Sequence, residues 1–172
     1  NPAIIDCAYA LRREVESAEK AGAKYVQIDE PFLSTGMVDL KVAKEAIGIL
    51  TDGIEMPMGM HVCGNLDGCF KDIAKFPIDI LDCEFAGNNV NIGILEANAD
   101  LLKCKKLGFG CVDSAVNAVD DKEEVKALVE RGIAAVGKEN MLLDPDCGLR
   151  KVDIPIAAEK LKIISDLAKE FN

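Results

Sequence analysis

Two apolar periodicities alternate along the chain, and this alternation constrains the fold more than any other feature. Residues 6–21 place apolar side chains at helical spacing and stop at Gly22. Residues 25–29 are short and β-prone and are closed by Pro31. The spacing then predicts a helix over 39–50, a strand over 58–63 ended by Gly64, a short helix over 71–75 and an apolar strand over 78–85. Residues 92–105 predict a helix and 107–112 a strand. A charged helix follows over 121–137, with an N-cap at Asp120 or Asp121. A strand over 141–143 runs into Asp144-Pro145-Asp146-Cys147-Gly148, and a helix over about 154–170 closes the chain.

Strand and helix repeated in this way predict a parallel α/β sheet with right-handed crossovers. Five strand–helix units are visible, and the chain has 172 residues. A closed eight-stranded barrel takes eight units and about 250 residues. Two architectures therefore fit: an open doubly wound sheet, or the C-terminal five-eighths of a (β/α)8 barrel of TIM type. The first residue is Asn1 rather than Met, so the chain is expected to be a piece of something longer. Apolar residues make up 49%, ample for one core at this length.

The formal net charge of −10 argues against a nucleic-acid binder and against attachment to an anionic membrane, both of which need a basic face. No apolar run reaches 18 residues, and the N-terminus lacks the form of a signal peptide. Seven cysteines, an odd number without a secretory signal, are expected to be mostly buried free thiols of a reduced, cytoplasmic protein. No Cys-x-x-Cys occurs, which disfavours a redox module.

The polar residues gather at the predicted strands' C-terminal ends, where parallel α/β folds bind ligands. These are Asp29 and Glu30, His61 and Cys63, Cys83 and Glu84, Asp113, and Asp146 with Cys147. His61 is the only histidine. On a strand, His61 and Cys63 share a face. The pair by itself also fits a core histidine beside a buried thiol. With Glu84 and Cys147 it makes an N/S/S/O set suited to tetrahedral Zn²⁺, drawn from three strands. Cys7, Cys69 and Cys104 lie on or beside helices at apolar spacing. Cys83 should face away from Glu84, and Cys111 lies inside a strand. Two thiolates, a carboxylate and a neutral imidazole leave a zinc site at net −1. Such a site activates water poorly but is well suited to holding a further thiol as thiolate, which points to alkyl transfer onto sulfur.

Four stretches now stand in order: Gln27-Ile28-Asp29-Glu30-Pro31, His61-Val62-Cys63, Asp79-Ile80-Leu81-Asp82-Cys83-Glu84 and Asp144-Pro145-Asp146-Cys147-Gly148-Leu149. Together they resemble the C-terminal catalytic barrel of cobalamin-independent methionine synthase, particularly its short archaeal forms, along almost the whole chain. The resemblance implies a (β/α)8 barrel whose N-terminal strands lie outside residues 1–172. It implies zinc on His61, Cys63, Glu84 and Cys147, and homocysteine as methyl acceptor. It also implies that Asp29 binds the acceptor's amino group; the other reading of Asp29 is a cap or turn residue before Pro31.

Two departures bear on the donor. Folate-dependent members follow Gly-x-Gly-x-x-Asp, two residues on, with an acid-catalytic histidine; here Gly108–Asp113 is followed by Ser114 and Ala115. A Ser-Arg-Ser stretch is replaced by Ala86-Gly87-Asn88. Methyltetrahydrofolate leaves only once its nitrogen is protonated, whereas a methylcorrinoid needs no proton. A methylcorrinoid, free or on a protein, is therefore the expected donor. Asp113 is a candidate for orienting ligand or substrate from the rim, with a turn or cap role as its other reading. Two alternatives stand beside this one: a methylcobalamin:coenzyme M-type methyltransferase, and a non-catalytic zinc-binding or barrel-completing subunit. Dimerisation or the missing N-terminal half would cover the exposed sheet edges.

Overall fold

The computed structural model describes residues 2–172. Helices and strands alternate as α1 (Pro2–Lys20), β1 (Val26–Asp29), α2 (Leu40–Thr51), β2 (Met58–Val62), α3 (Phe70–Ile73), β3 (Ile80–Glu84), α4 (Val90–Asn98), β4 (Lys106–Val112), α5 (Lys122–Val136), β5 (Met141–Pro145) and α6 (Ile154–Phe171). All five strands are parallel, in the order β1-β2-β3-β4-β5. A doubly wound sheet reverses its strand order at a switch point. This sheet never reverses, so it winds in one sense like a segment of a barrel, the architecture that the resemblance implied and that the strand–helix alternation alone left open.

The two faces of the sheet divide the work. Met58, Met60 and Val62 of β2, Leu81 and Cys83 of β3, and Leu107, Phe109 and Cys111 of β4 alternate toward the helices and are fully buried. They pack in one cluster with Phe70, Ile73, Ile92, Val125, Val129 and Leu167 from the helices. Phe85 stacks on Phe109 with ring centroids 4.3 Å apart. The intervening positions, including Gln27, Asp29, His61, Asp82 and Asp144, line the opposite face and share one open pocket there.

Local chemistry explains the element ends. Gly22 stops α1 with φ +90°, a left-handed conformation that glycine adopts without strain. Asp121 caps α5, accepting from the N–H groups of Glu123 (2.9 Å) and Glu124 (3.1 Å). Asp120, the other cap candidate, instead accepts from the wholly buried Lys160 at 2.6 Å. Lys160 Nζ also donates to the Asp113 carbonyl at 2.8 Å, which ties α6 to the β4–α5 connection.

Three expectations need correction. The helix expected over 92–105 is α4 and then a 3₁₀ turn over Ala99–Leu102. The Asn98 side chain bonds back to the Ile94 carbonyl (2.8 Å) at that break. The helix expected from residue 6 begins at Pro2, because proline is well placed in a first turn. The expectation of mostly buried thiols holds for Cys69, Cys83 and Cys111 but fails for Cys7 and Cys104, which are exposed. Cys104 sits in the turn before β4, and Cys7 lines an open apolar groove with Ile4, Leu11 and Phe32. No helix among the described residues is long and apolar enough to cross a membrane.

Candidate metal centre

β2 delivers His61 to the rim between Asp29 of β1 and Asp82 of β3, its neighbours in register. The imidazole Nδ1 lies 2.8 Å from Asp82 Oδ2 and Nε2 lies 3.3 Å from Cys147 Sγ. A carboxylate only accepts, so Nδ1–H donates to Asp82 and the Nε2 lone pair is aimed at the thiol. The Asp82 hydrogen bond holds the histidine above its usual value against the opposing effect of burial, with Asp29 and Asp144 adding to the rise.

Cys63 follows two residues on and joins the same face. The ligand atoms of His61, Cys63 and Cys147 lie within 4.8 Å of one another. Zinc bonds of about 2.0 Å to nitrogen and 2.3 Å to sulfur set ligand–ligand separations of about 3.5–3.8 Å in a tetrahedron. The 3.3 Å between His61 Nε2 and Cys147 Sγ is close to that range, and the three ligand atoms could close on one tetrahedral ion by moving about 1 Å or less. Burial first, then Cys63, Glu84 and Asp146, push the Cys147 thiol up to about 12. A thiolate is disfavoured in such acidic company, and a bound cation would reverse that.

Glu84 is on the same rim but falls outside this cluster; Asn88 Nδ2 donates to its carboxylate at 3.3 Å. Asp29 is exposed, and its carboxylate accepts from Gln27 Nε2 at 3.0 Å. Gln27 in turn accepts from the Tyr25 hydroxyl at 3.0 Å. Asp29 lines a pocket of about 550 Å³ with His61, Asp82, Asp144 and Cys147. Asp113 stands elsewhere. Its carboxylate accepts from Ala115 N at 2.7 Å, a turn-forming bond, and it lines a different pocket with Cys111, Val116 and Asp120.

Several residues here were not singled out from the sequence. Asp82 orients His61, and its spacing from Glu84 was the available signal, since alternate residues share a face. Asp144 is a second, half-buried acid beside it. Burial, and then the Asp82 carboxylate, push Asp144 up to about 8. Each of the two acids keeps one buried oxygen, Oδ1, without a protein partner. Gly108 and Gly110 are part of the site by omission. A Cβ on Gly108 would lie 2.7 Å from Asp82 Cβ, and one on Gly110 would lie 2.6 Å from Asp146 Oδ1.

A singly wound parallel sheet with an imidazole–dithiol cluster at its C-terminal edge defines a barrel-type protein with a candidate metal centre on its rim. The chain matches, over residues 1–170, the family described as cobalamin-independent synthase, catalytic domain, and it belongs to that family. The methionine synthase of Methanocaldococcus jannaschii is 45% identical over 175 residues, spanning 96% of this chain and 55% of that protein. That of Methanothermobacter marburgensis is 43% identical over 171 residues, spanning 98% and 54%. The chain thus spans about half the length of the curated relatives it matches. Among solved structures, a B12-independent methionine synthase from Shewanella sp. W3-18-1 in complex with selenomethionine superposes with a TM-score of 0.81. It is 22% identical and is matched over 95% of this chain and 52% of that one, which is a likeness of fold.

Proposed function

We propose that the chain is the zinc-binding, thiol-activating part of a methionine synthase barrel, with homocysteine as its acceptor. The observation that carries this reading is the convergence of His61 and Cys63, at the end of β2, with Cys147, just after β5. Glu84, on the same rim, is our fourth ligand. Zinc held by these groups would keep a substrate thiol deprotonated and nucleophilic. The chain's own residues do the positioning. Asp82 fixes the histidine tautomer, Asn88 holds Glu84, and Gln27 steers Asp29 toward the acceptor's ammonium group. In our reading the five units are the C-terminal part of an eight-stranded barrel. The remaining strands come from a preceding part of the protein or from another copy.

For the donor we infer a methylcorrinoid rather than methyltetrahydrofolate. The methyl carbon bonds to sulfur while cobalt keeps the electron pair of the broken bond, so no proton is required. The lone histidine is engaged with Asp82 and Cys147, and Asp113 makes a turn. No acid of the folate type is thus available from His61 or Asp113. The family's description as cobalamin-independent weighs against this donor, so the donor assay decides it. A coenzyme M-type acceptor fits less well. Its sulfonate would meet Asp29, Asp82 and Asp144, and no Lys or Arg lines the pocket among the described residues.

The first test is bound metal by atomic emission in protein purified without added zinc. About one equivalent per chain is expected, falling in Cys147→Ala. A folded sample without zinc would overturn the reading. Methyl transfer to homocysteine from methylcobalamin, and not from methyltetrahydrofolate, is the expected second result; robust turnover with the folate would remove the corrinoid proposal.

A further inference from the structure

The groups that would hold the metal lie at the ends of three strands, β2, β3 and β5, and two buried side chains join those ends. Asn91, near the start of α4, is 0% exposed. Its Oδ1 accepts from Leu66 N at 3.0 Å, and its Nδ2 donates to the carbonyls of Gly64 (2.9 Å) and Glu84 (2.8 Å). It thus links the backbone just after Cys63 to the backbone of Glu84 itself. Asp146 is 2% exposed. Its carboxylate accepts from three consecutive N–H groups, Phe85 (3.0 Å), Ala86 (3.0 Å) and Gly87 (2.6 Å). It links the turn just after Glu84 to the residue just before Cys147. Its own N–H donates to the Val112 carbonyl at 3.0 Å, which anchors the link in β4.

The result is one continuous path: the Cys63 loop, Asn91, Glu84, Asp146, Cys147. The bonds that make it run to backbone groups of the ligand-bearing loops, and each is complete without a metal. Separate loops otherwise drift independently, and a metal that had to gather them would lose affinity to that ordering.

We propose that Asn91 and Asp146 are positioning residues that assemble the three-strand metal rim before the metal binds. The inference rests on the zinc reading above. The first test needs no substitution. Amide exchange is followed in the metal-free chain, kept so with chelator, at Leu66 and Gly87, because Phe85 N and Ala86 N also donate to the Gly110 carbonyl (3.0 and 3.2 Å) and would be protected by it. Protection comparable to the β3 and β4 core is expected. Free exchange at these amides until zinc is added would overturn the proposal.

The second test uses near-isosteric variants. Asn91→Asp turns a donor into an acceptor facing two carbonyls, and Asp146→Asn places an amide against backbone N–H groups. Zinc affinity, measured by competition with a chelating dye, should fall about 10–100-fold in each. The thiolate-to-Co²⁺ absorption of the cobalt-substituted chain should weaken in step. A purely structural role would lower the metal-free Tm and leave the affinity of the folded fraction unchanged, and that outcome would refute the positioning role. If a variant fails to fold, the exchange experiment decides. Wild-type chain that binds no zinc but protects these amides would strike the zinc reading and leave the preformed rim standing.

Discussion

Substituting Gly108→Ala tests whether the inner face of the sheet depends on what β4 lacks. Gly108 pairs in register with Asp82, and a Cβ there would lie 2.7 Å from Asp82 Cβ and 2.8 Å from both Cγ and Oδ1. Carbon atoms in ordinary contact sit about 3.5–4.0 Å apart, so the overlap is about 0.8 Å or more. Asp82 Cβ is fixed to its strand and cannot rotate away. Either β3 and β4 separate, or Asp82 tilts and gives up its 2.8 Å bond to His61. Overpacking of this kind costs about 1–3 kcal/mol. Alanine recovers about 0.4–1 kcal/mol by restricting the unfolded chain, for a net loss of about 1–2 kcal/mol. For a chain of this length that lowers Tm by about 2–8 °C. The assay is urea and thermal unfolding of the metal-free chain, with Gly48→Ala as control. Gly48 lies inside α2 with nothing within 4 Å of its Cβ position, so alanine there should stabilise by about 0.5–1 kcal/mol. If Gly108→Ala proves as stable as the wild type while the control behaves as expected, the close-approach argument is wrong.

Other expectations follow from the same packing. Lys160→Met removes the cation beside the mostly buried Asp120 and should cost about 3 kcal/mol in urea unfolding, because the acid keeps only its bond from Asp113 N and loses its countercharge. Thiol labelling of the native chain should modify Cys7 and Cys104 first and spare Cys69, Cys83 and Cys111 until unfolding; early labelling of Cys83 would contradict the described core. Asp144→Asn should change how stability varies with pH. The Asp144 carboxyl is pushed up to about 8 when folded, against about 4 when unfolded, so the stability it contributes is complete below about pH 4 and is lost as pH rises toward 8. The variant's advantage in Tm, measured without metal, should therefore be larger at pH 9 than at pH 5, and an equal advantage at both would refute it.

The elements were legible because apolar residues at period 2 and at period 3.6 separate cleanly, as in β2 and α2. The choice between barrel and doubly wound sheet was not legible in the alternation, since both produce the same pattern; it came from the four ordered motifs and their resemblance, and the spatial order of strands bears it out. His61, Cys63 and Cys147 were legible because their side chains are themselves the candidate chemistry. The roles of Asp82, Asn91 and Asp146 were not, although Asp146 stood at the ligand edge beside Cys147, because what they do depends on groups 21, 7–27 and 59–61 residues away in sequence. Asn91 makes the point sharply. At the start of a helix an asparagine suggests a cap, yet it makes no such bond here and spends its amide on loops of two other strands.

The same alternation that builds the core also exposes the site to a particular kind of failure. In β2, Met58, Met60 and Val62 face the helices while His61, and Cys63 just beyond the strand, face the rim. A slip of one residue would send the methionines to the open face and the ligands into the core. Burial of three large side chains on one face therefore sets where the ligands stand on the other. Burial fixes the strand's register but not the turn that follows it, since Cys63 lies beyond the last paired residue, Val62. Ser34 Oγ donates to the Cys63 carbonyl at 2.6 Å, and Asn91 holds Gly64 and Leu66 immediately afterwards. Apolar packing thus decides which face His61 occupies, and buried polar bonds decide how closely Cys63 approaches it. Core substitutions such as Met60→Ala should accordingly lower stability with little change in the metal affinity of the folded fraction. Changes at the polar links should lower the metal affinity of the folded fraction as well as the stability, since they leave buried polar groups unpaired.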